Sequence, residues 1–140
     1  MAAEPKYVCV AAMSAKDVFD NKYKSTMPKV MKAAAEAAVN SSSKLTTDPP
    51  KDKNAEGFYV DGTLTSLVKD DTGKEIVLQG EVKLVLATWP KKSMFGFPSA
   101  SSKLNGANPN KLDGDVQALV KALMDAALDK AIPELEKRAK

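Results

Sequence analysis

Two segments of alternating apolar and polar residues constrain the fold of this chain more than any other feature. The apolar positions are Phe58, Val60, Leu64 and Val68 in the first segment, and Ile76, Leu78, Val82, Leu84 and Leu86 in the second. A period of two predicts strands with one buried face. Between them, Lys69-Asp70-Asp71-Thr72-Gly73-Lys74 favours a chain reversal. We therefore predict a long antiparallel hairpin, with Gly62 and Gly80 on its apolar faces favouring a bulge or a crossing helix.

Two amphipathic helices flank this hairpin. The first is predicted to follow a cap at Ser25 or Thr26, to tolerate Pro28 in its first turn and to end at Asn40. The second is predicted to follow a cap at Asp113 or Asp115 and to be kinked or restarted at Pro133. Their apolar stripes are Met27, Val30, Met31, Ala34, Ala37 and Ala38 in the first, and Val116, Leu119, Val120, Leu123, Leu128, Ile132 and Leu135 in the second.

The remaining segments are shorter or less regular. The apolar run from Tyr7 to Met13 predicts a strand covered on both faces, with Cys9 as a small core residue. Residues 17–23 are predicted to form a loop or a weak helical turn, and residues 46–54 an exposed, proline-broken loop. From Trp89 to Leu112 we predict an irregular connection, with a fourth short strand inside residues 91–104 left open.

The order strand, helix, strand, strand, helix defines the predicted fold. Two amphipathic helices need one apolar sheet face to cover, which favours a two-layer α+β sandwich. We expect a mainly antiparallel sheet of three to four strands. The 140 residues fit one domain spanning 1–140.

Composition argues against most catalytic and metal chemistry. The chain has no histidine and one cysteine, which removes the commonest general base and thiolate zinc sites. Acidic pairs around Asp70 and Asp113 are better explained by turn formation and helix capping than by calcium. We therefore predict no catalytic residues, no metal, no cofactor and no enzyme.

Charge and hydropathy limit the classes of partner that this chain can have. The net charge is +3, and Arg138 is the only arginine, so scattered lysines predict a solvated surface without specific nucleic-acid binding. No apolar run reaches the ~18 residues of a membrane span. The start Met1-Ala2-Ala3-Glu4-Pro5-Lys6 is similar to the small-residue end of a cleaved export signal. We expect a periplasmic or secreted monomer, with a cytoplasmic protein as the alternative.

Candidate binding residues cluster after the hairpin. They are Trp89, Lys91, Lys92, Met94, Phe95 and Phe97. Aromatic residues and methionine are enriched in binding hot spots. Alternatively, these side chains fold back as a lid over one end of the core, since large exposed apolar patches are rare on monomers.

A family resemblance accompanies these patterns. The segment Gly57-Phe58-Tyr59-Val60-Asp61-Gly62-Thr63-Leu64, the Ser93-Met94-Phe95-Gly96 loop and the closing helix resemble those of small exported proteins of Gram-negative bacteria, some known chiefly as antigens. The element order is similar to that of TolB amino-terminal domains and of lipoproteins that regulate penicillin-binding proteins. The resemblance implies an envelope protein with an α/β sandwich, and it carries over no functional residue.

These observations lead to two hypotheses of function. The first is a non-enzymatic exported binding or adaptor domain that has a protein or envelope partner and is a candidate antigen for host antibodies. The second is a cytosolic enzyme or nucleic-acid accessory domain that uses lysines and carboxylates.

Overall fold

The computed structural model describes residues 4–52 and 55–139. Residues 1–3, 53–54 and 140 lie outside the described residues. They include the first half of the segment 1–6 that is similar to the end of an export signal, and the last two residues of the loop predicted at 46–54. The elements are β1 (Lys6–Val10), β2 (Ser14–Val18), α1 (Tyr23–Asn40), β3 (Leu45–Thr46), β4 (Gly57–Asp70), β5 (Val77–Trp89), β6 (Met94–Gly96), β7 (Ser99–Asn105), a 3₁₀ turn (Pro109–Lys111) and α2 (Leu112–Arg138).

The predicted hairpin is confirmed as β4 and β5, which pair antiparallel along their whole length. The register shifts between Leu64 and Ser66, so that the strand carries one extra residue at this point. The shift reverses the alternation beyond it. Leu67 is therefore buried, and Val68, which we predicted to face the core, is 52% exposed.

The prediction of a three- to four-stranded, mainly antiparallel sheet is wrong. Within residues 4–52 and 55–139, the sheet has seven strands, in the order β3-β1-β4-β5-β6, with β2 also on β4 and β7 also on β5. β1 and β2 run parallel to β4 along the edge opposite β5, whereas β6 and β7 run antiparallel along the free edge of β5. β2 and β7 are hard to recognise in the sequence, because most of their residues are polar or small. Both strands form through backbone pairing with a long neighbouring strand.

The helices cover one face of this sheet, and the other face is open. Along β5, Leu78, Gly80, Val82, Leu84 and Leu86 are buried on the covered face. Ala87 is buried as well, and the other residues of the strand are partly or fully exposed. In β1 only Val8 is buried, so our prediction of a strand covered on both faces is wrong. Cys9 lies on the open face, partly exposed, and is not a core residue.

Each helix places a buried stripe against the sheet. In α1 the buried residues are Tyr23, Met27, Met31, Ala35 and Val39. α2 extends through Pro133 to Arg138 without a restart. A methyl group on Gly80 would lie 2.9 Å from Leu123 Cδ1, so the helix crosses β5 at the glycine, as predicted.

The predicted helix caps are wrong. α1 begins at Tyr23, and the hydroxyls of Ser25 and Thr26 donate to the carbonyl of Lys22 within the first turn. In α2, Asp113 and Asp115 lie inside the first turn, and neither acts as the cap.

Asp113 instead connects the two helices. Its carboxylate accepts a hydrogen bond of 2.7 Å from the buried Tyr23 hydroxyl and forms a 2.9 Å ion pair with Lys22 Nζ. The hydrogen bonds from Lys22 and then from Tyr23 hold the pKa of Asp113 below its usual range. Both favour the ionised carboxylate, and burial of the Tyr23 phenol raises its own pKa in turn.

We expect Asp113→Asn to lower the melting temperature at neutral pH, and the deficit to shrink under acid. A depressed folded-state pKa contributes stability above the unfolded value, about 3.9, and this contribution is lost as the pH falls through the folded-state value. Thermal melts of both proteins between pH 7 and pH 2.5 measure the difference. Asp129→Asn, an exposed change on the same helix, is the control, and a deficit independent of pH would contradict the assignment.

Candidate functional site

The turn between β5 and β6 begins the candidate site. Thr88 N donates to the carbonyl of Ser93 at 2.9 Å, and Lys92 N donates to the carbonyl of Thr88 at 2.8 Å. Ser93 N also donates to Thr88 Oγ1 at 3.1 Å. The Trp89–Pro90 bond is cis, and Lys92 has a φ of 58°. The segment from Trp89 to Leu112 is therefore not one irregular connection, because it starts with a closed turn and continues into β6 and β7. The further strand that we left open inside residues 91–104 is present, as β6 and most of β7.

An aromatic cluster lies on the open face of the sheet beside this turn. Trp89 stacks on Tyr59 with 6.2 Å between ring centroids and meets Tyr7 edge-on at 6.1 Å. Lys92 Nζ lies 4.6 Å from the Tyr59 ring centroid and 5.8 Å from that of Trp89. Burial is the main cause that raises the pKa of both tyrosines. The cluster fixes Trp89 and Lys92 against the sheet.

Phe95 points the other way, toward the core. Its ring meets Phe58 edge-on at 6.0 Å, and the Arg138 guanidinium carbon lies 4.1 Å from its centroid. Phe58 is 6% exposed, so the end of the core supports Phe95. For Phe95 the structure favours the alternative in which the segment folds back on the core.

Met94 and Phe97 remain outside. Their side chains are 64% and 67% exposed. Among the described residues, Val68 is the only other large hydrophobic residue with comparable exposure. Met94 pairs with Ala87, which in turn pairs with Tyr59, so the methionine extends the aromatic cluster along the open face.

A cleft of about 530 Å³ opens between this turn and the end of α2. It is lined by Lys6, Glu56, Gly57, Phe58, Thr88, Trp89, Pro90, Lys91, Ser93 and Arg138. Three cationic side chains and one carboxylate therefore surround a floor of aromatic and small residues. Such a cleft is suited to holding an anionic group beside an apolar one.

The six predicted binding residues thus fall into four places. Met94 and Phe97 are exposed, Trp89 and Lys92 join the aromatic cluster, and Phe95 packs inward. Lys91 lines the cleft, which Trp89 also borders.

Sequence reasoning missed several residues of this region. They are Lys6, Tyr7, Glu56, Tyr59 and Arg138. Outward positions on predicted strands signal Tyr7 and Tyr59. Nothing local signals Arg138, because its place depends on where a 27-residue helix ends against the sheet.

The described part of the chain contains neither a cluster of metal ligands nor a membrane-spanning helix. In residues 4–52 and 55–139, no group of three or more cysteine and acidic side chains has the geometry of a metal site. No helix within the same ranges has the length and hydropathy required to cross a bilayer.

Comparison with known proteins gives structural relatives alone. No protein-family model matches the chain, and no curated protein matches it. Among solved structures, hypothetical protein CT253 from Chlamydia trachomatis has a TM-score of 0.62 at 10% identity, covering 98% of each chain. The PelC dodecamer from Paraburkholderia phytofirmans has a TM-score of 0.56 at 13% identity, covering 91% of this chain and 89% of PelC.

A lipoprotein is also among these neighbours. Lipoprotein GNA1162 from Neisseria meningitidis has a TM-score of 0.51 at 16% identity, covering 86% of this chain and 99% of GNA1162. At such identities the likeness shows a shared fold. The neighbours are hypothetical proteins and lipoproteins of Gram-negative bacteria, which confirms the resemblance seen in the sequence to small exported proteins of these organisms.

Proposed function

We propose that this chain is a non-enzymatic binding domain of the Gram-negative cell envelope, with a protein partner that docks on Trp89, Met94 and Phe97. We call these three residues the docking surface. The observation that carries the proposal is the exposure of Met94 and Phe97, 64% and 67%, on the segment that follows the half-buried Trp89. Exposed apolar groups at one place on a polar surface are typical of protein interfaces.

The anchoring of Trp89 supports the same proposal. Tyr7, Tyr59 and Lys92 hold the indole in one orientation, so a partner that contacts it orders little further side chain. Binding to a pre-organised surface loses less conformational entropy than binding to a mobile one. The closed turn from Thr88 to Ser93 fixes the backbone on either side.

The chemistry of the chain supports a role without catalysis. Histidine is absent from the chain. The one cysteine, Cys9, lies beside the phenol of Tyr7 on the open face, and a neutral phenol does not activate a thiol as a cation would. The lipoprotein neighbours support an envelope or exported location, where the domain is accessible to host antibodies. We also propose that the free domain is monomeric, which size-exclusion chromatography with light scattering measures directly.

Site-specific photo-crosslinking in the source bacterium tests the docking surface. A photoreactive phenylalanine analogue at position 97 or 94 should give a discrete adduct of one mass, because both side chains contact the partner. The same analogue at position 68 is the matched control, since Val68 is 52% exposed but lies at the far end of β4. Mass spectrometry of the adducts identifies the partner.

Two outcomes would count against the proposal. Equal adducts at positions 68, 94 and 97 would show nonspecific contact, and no adduct at 94 or 97 would remove the docking surface. Cell fractionation tests the location separately. Recovery of the protein with the cytosol would favour the cytosolic hypothesis.

A further inference from the structure

The cleft beside the docking surface has a chemistry of its own. We propose that it binds the side-chain carboxylates of an acidic peptide segment, with Arg138 as the principal donor and Lys91 and Lys6 in support. The inference rests on the proposed function, because the acidic segment belongs to the protein that covers Met94 and Phe97. It adds the charge and the hydrogen-bonding character of that partner.

Arg138 is the central group in this cleft. Its guanidinium carbon lies 4.1 Å from the Phe95 ring centroid, and Phe58 supports that ring from the core side. An arginine stacked on an aromatic face keeps its in-plane N–H groups free to donate in a fixed direction. Within residues 4–52 and 55–139, Arg138 has no ion pair and donates no hydrogen bond. The only arginine of the chain is thus held in place with its donors unused.

Two lysines share the cleft with this arginine. Neither Lys6 nor Lys91 forms an ion pair with a carboxylate among the residues that the structure describes. Glu56 is the one acidic side chain of the lining, and the C-terminal carbonyls of α2 add partial negative charge. Three full cations exceed these charges, so the cleft favours an anion. Thr88 and Ser93 add hydroxyl donors to its wall.

The dimensions and the number of cations favour a short acidic segment over a nucleic acid. A volume of about 530 Å³ lies within the ~300–1,000 Å³ typical of small-ligand pockets. Nucleic-acid binding relies on a run of phosphate contacts along a basic stripe, whereas only three cations line this cleft. Trp89 borders both the cleft and the aromatic cluster, so an anion bound in the cleft lies beside one residue of the docking surface.

The probe for this site is the peptide acetyl-Glu-Phe-Glu-amide, with acetyl-Gln-Phe-Gln-amide as its uncharged twin. We expect the acidic peptide to shift the NMR signals of Gly57, Ser93 and the Arg138 Nε–H, and the twin to leave them unchanged. Arg138→Gln should weaken binding of the acidic peptide about tenfold, because a charge-assisted hydrogen bond is lost. Lys91→Gln should weaken it less, as a lysine acts as a point charge.

Lys137→Gln is the matched control. It removes one positive charge from the same helical turn, and Lys137 does not line the cleft. Phe95→Leu tests the positioning of the guanidinium. It keeps every charge and removes the ring that supports Arg138, so we expect weaker peptide binding with Arg138 Nε–H signals broadened in the free protein.

Four results would overturn the inference. Equal binding of acetyl-Gln-Phe-Gln-amide would exclude carboxylate recognition. An equal loss of peptide affinity in Lys137→Gln and Arg138→Gln would indicate a general attraction between the positive protein and the negative peptide. Binding to phosphatidylglycerol vesicles without binding to the peptide would assign the cleft to a lipid surface. If crosslinks at positions 94 and 97 persist unchanged in Arg138→Gln, the inference falls while the docking surface stands.

Discussion

Replacing Leu123 with alanine is expected to lower the free energy of unfolding by about 2–5 kcal/mol. Leu123 is fully buried in α2, and its Cδ1 lies against Gly80 near the start of β5. The smaller side chain removes apolar contacts and leaves a cavity that the glycine beneath it cannot fill. Urea or guanidinium unfolding followed by circular dichroism gives the difference.

Leu84→Ala tests the sheet side of the same core, with an expected loss in the same range of about 2–5 kcal/mol. Leu84 is also fully buried, on the face of β5 that the helices cover. Val68→Ala is the control, because Val68 is 52% exposed and its change should stay within about 0.5 kcal/mol. Negligible loss at both leucines would show that the hairpin and α2 do not share a core.

Gly57→Ala is expected to destabilise the protein by about 1–3 kcal/mol, although it adds a single methyl group. A Cβ at this position would clash with the backbone carbonyl oxygen of Tyr7 in β1. That carbonyl belongs to the strand that runs parallel to β4 from Val8 onward, so the backbone moves only if the pairing is disturbed. Thermal and chemical denaturation measure the loss.

Gly114→Ala is the matched control with the opposite sign. No atom lies within 4 Å of the Cβ that it adds, and the residue lies in the first turn of α2. Alanine favours a helix over glycine by up to about 1 kcal/mol, so this variant should be more stable. A Gly57→Ala protein as stable as the wild type would contradict the close approach of β1 and β4.

The hairpin and the helices were predictable because their signals are local. Alternation in β4 and β5 marks which side chains meet the core, and the stripe through Leu119 and Leu123 marks one face of a helix. Even here the register shift after Leu64 reversed the pattern and exposed Val68. A bulge depends on how a strand pairs with its neighbour. The periodicity of one segment contains no information about that pairing.

The position of the candidate binding segment was predictable from the sequence, but the directions of its side chains were not. Its unusual residues, Trp89 to Phe97, stand out by composition, but composition does not indicate which side chains turn inward. Phe95 packs on Phe58 and supports Arg138, whereas Met94 and Phe97 stay exposed. The directions follow from the closed turn and from the pairing of β6 with β5.

By itself, the sequence therefore determined the long hairpin, the two amphipathic helices that cover its apolar face, and the position of the candidate binding residues in the chain. Each of these depends on residues a few positions apart. Only the tertiary structure decided the edge strands β2 and β7, the open face with Tyr7 and Tyr59, and the cleft that joins Lys6, Lys91 and Arg138. Those features join residues far apart in the chain, and pairing and packing across the whole sheet bring them together.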